Sequence, residues 1–143
     1  MIRLILDYAG STSEAVSLIQ QYNIRMENPP IHYLIADSSG HSVIVEFVNG
    51  KMKVIPNTNP WQVTTNFVIA VTDLQHPPCW RYQTAITTLE DNNGYLSENG
   101  AMNLLQSVSV SGTRWSTVFN LKSRKIKIAM GRDFSNLHRF YIP

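Results

Sequence analysis

The stretch that decides the fold is IHYLIADSSGHSVIVEFVNGKMKVIPNTNPWQVTTNF, residues 31–67. Its apolar runs are separated by turn signals. Ser38-Ser39-Gly40 closes the first run, and Asn49-Gly50, the strongest short hairpin signal, closes the second. Pro56 and Pro60 bracket a further turn. The pattern predicts a β-meander of four strands, over residues 32–37, 42–48, 51–55 and 61–67.

The second run, Val43-Ile44-Val45-Glu46-Phe47-Val48, is apolar at nearly every position. Antiparallel strands joined by a tight hairpin usually alternate apolar and polar residues, so an unbroken run indicates that both faces of the strand are covered. Because the chain also contains helical patterns, we expect an α+β fold with helices on one face of the sheet and a second sheet on the other.

Helical spacing flanks the meander on both sides. The first helix is predicted over residues 2–9 with Gly10 as its C-terminal cap, and the second over 11–23, where Ser11 and Glu14 fit a capping box. Further helices are predicted over 80–89 and 101–110, and strands over 115–121, 125–130 and 140–142. No linker or repeat interrupts this order, so we expect a single domain over 1–143.

Composition excludes several classes of protein. Hydrophobic residues make up 43% of the chain and charged residues 15%, as in an ordinary globular protein. A net charge of +2 does not indicate a nucleic-acid partner, and no apolar run is long enough to span a membrane. The four histidines are scattered, so we expect no metal site. The one cysteine cannot form an internal disulfide. We also expect no cofactor. If the chain is complete, a cytoplasmic location is expected; otherwise the location is open.

Several patches occur in an order that resembles a known family. HYLIADSSGHSVIVEF is followed by a short hairpin, then by VTTNF, CWRY and TRWSTVFNL. This order resembles the C-terminal half of the choloylglycine hydrolase and penicillin V acylase family, linear amide C-N hydrolases with a cysteine N-terminal nucleophile, to which penicillin acyltransferases are related. The resemblance implies part of the αββα sandwich of N-terminal-nucleophile hydrolases.

The resemblance also implies two site residues. Asn66 matches an Asn in a TN motif, and its side-chain amide would donate to the oxyanion of a tetrahedral intermediate, an interaction typically worth about 2.7 to 4 kcal/mol of barrier. Arg81 in CWRY matches an Arg that contributes charge beside the nucleophile. Thr65 would flank the same site through its hydroxyl. Without the resemblance, the residue types favour a strand-end or turn cap for Asn66 and a surface or ion-pair position for Arg81.

The family's nucleophile has no counterpart near the start of this chain, because Met1 is followed by Ile2. Cys79 is the one cysteine, and His76 three residues before it suggests a nucleophile and base pair. The intervening Pro77-Pro78 does not favour a helical turn that would bring the two side chains together. A lone cysteine is more commonly a small buried apolar residue.

Two functions remain open from the sequence. The chain is either the C-terminal portion of an acylase or amidase acting on N-acyl amides such as bile-salt or penicillin-type compounds, inactive alone and completed by a chain carrying the N-terminal half, or a non-catalytic remnant that oligomerises or binds an apolar ligand. Both predict a partner chain, a second copy or a separate half, because half of a sandwich exposes a sheet edge and an apolar face.

Overall fold

The computed structural model describes residues 1–22, 24 and 32–142. It contains helices and two three-stranded antiparallel sheets, which confirms the α+β prediction and is consistent with a partial N-terminal-nucleophile-hydrolase sandwich. The chain divides into two compact units, Met1–Tyr82 and Gln83–Pro143. The predicted organisation as one domain stays a prediction.

Unit 1 consists of two helices, a three-stranded meander and a short 3-10 helix. The sheet has the strand order β1-β2-β3, with both neighbouring pairs antiparallel. Three of the four predicted meander strands are therefore confirmed. The elements are α1 (Ile2–Tyr8), α2 (Thr12–Ile19), β1 (Tyr33–Ala36), β2 (Ser42–Val48), β3 (Lys51–Pro56) and the 3-10 helix (Ile69–Val71).

The hairpin between β2 and β3 fixes the register of the sheet. Asn49 and Gly50 both have positive φ, 51° and 72°, as a type I′ turn requires. Val48 consequently pairs with Lys51, and the register continues along both strands.

The core of unit 1 lies between the two helices and one face of the meander. Half of the predicted capping box is present, because the Ser11 hydroxyl accepts from the Glu14 backbone N–H. The Glu14 carboxylate accepts at 2.7 Å from the N–H of Gly10, one residue before the N-cap, rather than from the Ser11 N–H. This start of α2 directs an apolar face toward β2. The buried core residues are Ile5, Ala15, Ile19 and Val45.

The opposite face of β2 is also buried, as the unbroken apolar run predicts. Ile44 and Glu46 are each only 1% exposed. The cover consists of the segment that follows β3 rather than a further strand. Residues 61–67 form no strand, so this part of the meander prediction is wrong.

This segment is held by hydrogen bonds between side chains and backbone groups, not by a strand ladder. The Gln62 amide donates to the Ile55 carbonyl at 3.0 Å, and the His32 ring bonds the Thr65 carbonyl. The Glu46 carboxylate accepts from the backbone N–H groups of Ile69 and Ala70. Because these distant side chains supply the hydrogen bonds, the β-favouring residues do not need a neighbouring strand.

Two predicted helix ends also need correction. α1 ends with Ala9 as its C-cap in an extended conformation, so Gly10 does not cap it by a left-handed turn. α2 ends at Ile19, whereas the prediction extended it to residue 23. Residue 23 itself lies outside the described residues. So do the predicted connection over 25–30 and residue 31, the first residue of the stretch 31–67.

Unit 2 is a sheet with a helix against it. α3 (Trp80–Asp91) crosses the boundary between the units, and α4 (Glu98–Ser107) follows, beginning earlier than predicted because Ser97 caps it. The sheet has the order β4-β5-β6. Its strands are β4 (Trp115–Asn120), β5 (Lys125–Met130) and β6 (Leu137–Tyr141), the last beginning three residues before the prediction.

An ion pair joins α4 to this sheet. Lys127 of β5 bonds the Glu98 carboxylate at 3.0 Å and the Asn99 side-chain oxygen at 3.0 Å, and the Asn120 amide also donates to Glu98. The acidic first turn of α4 is thereby held over the strands.

Candidate functional site

Two residues that the sequence singles out are hydrogen-bonded to each other. Arg81 lies in the first turn of α3, and its Nη2 donates to the side-chain oxygen Oδ1 of Asn66 at 2.8 Å. Arginine has no acceptor, so this contact fixes which end of the Asn66 amide faces it. The amide nitrogen, with two N–H donors, is directed elsewhere, and no acceptor among the described residues bonds it.

Cys79 immediately precedes α3, at the N-cap position. Burial raises the pKa of its thiol, but the Thr65 hydroxyl, the backbone N–H groups of Tyr82 and Arg81 and the Arg81 charge together outweigh that effect. The pKa of Cys79 is therefore below its ordinary value, as expected for a sulfur at a helix N-terminus beside a cation. The same contacts are those of an N-cap residue.

Thr65 completes the cluster from the segment before Asn66. Its hydroxyl is shielded from solvent and forms no hydrogen bond within the described part of the chain, but it lies close enough to the Cys79 sulfur to lower the pKa of that thiol. The structure thus brings together all four residues chosen from the sequence, Thr65, Asn66, Cys79 and Arg81.

An aromatic contact holds the two parts of this cluster in place. Phe67 and Tyr82 pack edge to face, with ring centroids 5.0 Å apart and an interplanar angle of 71°. Tyr82 is 5% exposed, and burial raises the pKa of its phenol. The contact ties the residue after Asn66 to the residue after Arg81.

His32 and Glu46 lie behind the cluster and were not assigned a role from the sequence. His32 Nδ1 is 3.0 Å from Glu46 Oε1, and His32 Nε2 bonds the Thr65 carbonyl. A signal for Glu46 was present, since it is the one charge inside the apolar run of β2, and a charged residue is rarely buried without a partner. Its partner is fourteen residues away and cannot be identified from that run.

His76 does not pair with Cys79. Its Nδ1 is 3.0 Å from the Asp73 carboxylate, and both side chains are exposed. This contact with His76 and a bond from the Gln75 N–H lower the pKa of Asp73. Over residues 1–22, 24 and 32–142, no group of three or more histidine, cysteine or acidic side chains is arranged to hold a metal ion.

A polar cavity of about 490 Å³ lies elsewhere in unit 1, between the start of α2 and the β1–β2 turn. Asp37 accepts there from the Thr12 N–H at 2.9 Å and from the Ser39 hydroxyl. Its bonds with Ser39 and Thr12 hold the pKa of Asp37 well below its usual range. The start of α2 is therefore already occupied by a carboxylate of the chain itself.

Residues 1–93 match the family model described as linear amide C-N hydrolases, choloylglycine hydrolase family. The match covers more than half of the 143 residues. The chain belongs to the choloylglycine hydrolase family. No curated protein and no solved structure matches it.

The family match includes Thr65, Asn66, Cys79 and Arg81 but ends before α4. The resemblance of the TRWSTVFNL patch in β4 to the choloylglycine hydrolase family therefore stays a prediction. No helix in the described part of this family member is both long and apolar enough to cross a bilayer.

Proposed function

We propose that this chain contributes Asn66 and Arg81 to the active site of a linear amide C-N hydrolase that acts on N-acyl amides of the bile-salt or penicillin type. The attacking cysteine belongs to another segment or chain. The observation that carries the proposal is the hydrogen bond from Arg81 to Asn66 Oδ1, because it leaves the Asn66 N–H donors available to a ligand.

Charge develops on the amide oxygen during this reaction. A thiolate sulfur attacks the carbonyl carbon, the C=O electron pair moves to oxygen, and the tetrahedral intermediate then expels the amine, which takes up a proton. Water hydrolyses the resulting thioester. A preorganised N–H of Asn66 would stabilise the oxyanion, and the Arg81 cation would favour the thiolate.

Cys79 is the alternative nucleophile, and its low pKa favours that role. Against it, its neighbour His76 bonds Asp73, and Cys79 occupies the N-cap position of α3. We therefore propose that Cys79 supports the site rather than attacking the substrate.

The test measures hydrolysis of penicillin V, glycine-conjugated bile acids and N-acyl amino acids by the chain alone and mixed with a cysteine-initiated N-terminal half of a family member. We expect turnover only in the mixture. Asn66→Asp keeps an oxygen toward Arg81 but removes the N–H donors, so it should lower kcat by roughly 10²- to 10³-fold.

Two results would contradict this proposal. Full activity of Asn66→Asp would exclude the oxyanion role. Turnover by the chain alone that disappears in Cys79→Ser, which preserves a capping side chain, would make Cys79 the nucleophile.

A second function is supported by unit 2. In the register of its sheet, Trp115 pairs with Met130, and Phe119 with Ile126 and then Phe140, so these apolar side chains share one face. All but Ile126 are more than half exposed. We propose that this face pairs with a second copy of the chain.

The oligomer is tested by light scattering over a range of concentrations. Phe119→Lys, in the middle of the apolar face, should produce monomers. Arg139→Lys, on the other face of the sheet, is the control and should leave the oligomer intact. A wild-type chain that stays monomeric at high concentration would contradict the proposal.

A further inference from the structure

His32 and Glu46 are a buried pair of titratable side chains, and every ring nitrogen and carboxylate oxygen of the pair has a hydrogen-bond partner. Their side chains are 10% and 2% exposed. The Glu46 carboxylate accepts from the Ile69 N–H and the Ala70 N–H, each at 2.8 Å, and its Oε1 lies 3.0 Å from Nδ1 of the His32 ring. Lys53 is its cross-strand neighbour on the same face of the sheet.

The partners of the His32 ring determine its protonation. Nε2 faces the Thr65 carbonyl, which only accepts, and Nδ1 faces a carboxylate that already receives two backbone N–H groups. A neutral imidazole has one N–H, so with an ionised Glu46 one of these contacts would join two acceptors. Both contacts are hydrogen bonds when the ring carries two protons and Glu46 is ionised; the alternative, a neutral ring accepting from a protonated Glu46, is disfavoured because the Ile69 and Ala70 N–H groups both donate to that carboxyl group.

His32 and Glu46 form hydrogen bonds to the backbone on both sides of Asn66. His32 holds the carbonyl of the preceding residue, and Glu46 holds the N–H groups of Ile69 and Ala70, three and four residues later. The segment between these points belongs to no strand and has no ladder to fix it. The backbone on both sides of Asn66 is therefore held by the pair, while the Arg81 hydrogen bond and the Phe67–Tyr82 contact hold the Asn66 side chain and the residue after it.

We propose that His32 and Glu46 are positioning residues, an imidazolium–carboxylate pair that fixes the backbone around Asn66 and so directs its amide into the site. The catalytic meaning of this pair rests on the proposed function. The hydrogen bonds of the pair to the backbone do not depend on the proposed function, and the experiments below do not require turnover of a substrate.

The first measurement is the ¹⁵N spectrum of the His32 ring in the unmodified chain near pH 7. We expect both ring nitrogens to carry protons. A His32 ring with one unprotonated nitrogen would overturn the proposal, whatever the variants do.

The second measurement uses Cys79, the one cysteine of the chain, as a local reporter, since its thiol contacts Thr65. His32→Gln removes the ring that bonds the Thr65 carbonyl, and Glu46→Gln removes the carboxylate that holds this ring in place. The iodoacetamide alkylation rate near pH 7, relative to the same protein's rate at high pH, should fall roughly two- to tenfold, as loss of one hydrogen bond implies. The Asn66 side-chain amide resonances, assigned by their loss in Asn66→Asp, should move or broaden.

The matched control is Val45→Ala. Val45 precedes Glu46 in β2, is fully buried and lies on the opposite, helix-facing side of the strand. It should lower the unfolding temperature without changing the relative alkylation rate or the Asn66 resonances. Equal behaviour of Val45→Ala and Glu46→Gln would reduce the pair to a general stabilising role and overturn the proposal. If both His32→Gln and Glu46→Gln unfold, the ¹⁵N spectrum of His32 in the unmodified chain is the test of the proposal.

Discussion

Arg81 and Asn66 are joined by a 2.8 Å hydrogen bond across fifteen residues of sequence, and Arg81 also contributes its charge and backbone N–H to Cys79. One arginine therefore orients the amide and lowers the pKa of the thiol. The two effects can be separated by substitution, because only one of them needs the planar guanidinium.

We predict that Arg81→Met raises the pKa of Cys79, since the variant loses the positive charge. Arg81→Lys keeps the charge and should leave the pKa closer to that of the wild type. The measurement is the pH dependence of alkylation of the single thiol. A profile in Arg81→Met that coincides with the wild type would show that the charge of Arg81 does not act on Cys79.

We predict that a large-to-small substitution in the core of unit 1 lowers the free energy of unfolding. Ile19 is fully buried among Ile5, Ala15 and Val45, so Ile19→Ala removes methylene groups and leaves a cavity. We expect a loss of about 2 to 5 kcal/mol in the free energy of unfolding, measured by urea denaturation. Ile2→Ala on α1 is the control: Ile2 is mostly exposed, and the change should stay within about 0.5 kcal/mol. Equal losses in the two variants would contradict this description of the core.

Much of the fold could be predicted from the sequence because its signals are local. The Asn49-Gly50 hairpin and the Ser11–Glu14 capping hydrogen bond each depend on residues within a few positions of one another. The proximity of Asn66 and Arg81 is not local in this sense. It was expected only through the resemblance to the choloylglycine hydrolase family.

The wrong prediction of a fourth strand has a cause that is not local, which is hydrogen bonding between distant positions. Residues 61–67 have the composition of a strand, yet the Thr65 carbonyl bonds the His32 ring and the Gln62 side chain donates to the Ile55 carbonyl of β3. His32 is 33 residues from Thr65, and no periodicity links them. Burial of Glu46 was foreseeable from the covered strand, but the identity of its partners was not.

The β2–β3 turn provides a prediction on backbone conformation. Gly50 has φ of 72°, a region that costs an L-residue about 1 to 2 kcal/mol. Gly50→Ala should destabilise unit 1 by about that amount in urea denaturation. No other atom lies within 4 Å of an added Cβ, so the cost is conformational rather than steric.

Gly112→Ala is the matched control for the turn. Its added Cβ also meets open space, and Gly112 does not have positive φ. The substitution should be neutral or stabilise the protein by up to about 1 kcal/mol, because it restricts the unfolded chain. Destabilisation by Gly112→Ala as large as that by Gly50→Ala would contradict the assignment of the Gly50 effect to φ.

The ion pair in unit 2 predicts a dependence of stability on pH. Bonds from Lys127 and then Asn120 lower the pKa of Glu98 below its ordinary value of 4.5, against a smaller opposing effect of burial. A carboxyl whose pKa is lower in the folded state stabilises that state above the unfolded pKa, and this contribution is lost as the pH falls through the folded pKa. Glu98 should therefore stabilise unit 2 near neutral pH and cease to do so in acid.

Glu98→Gln removes this titration while leaving a side-chain oxygen for Asn120. Between about pH 6 and pH 3, the wild type should lose more of its free energy of unfolding than Glu98→Gln does, and the two should converge at the acid end. Glu90→Gln is the control, since Glu90 is exposed on α3 and forms no ion pair with the described residues. It should retain the acid dependence of the wild type. If Glu98→Gln and Glu90→Gln follow the same curve, the contact with Lys127 does not contribute to the stability of unit 2, and α4 is held to the sheet by apolar packing alone.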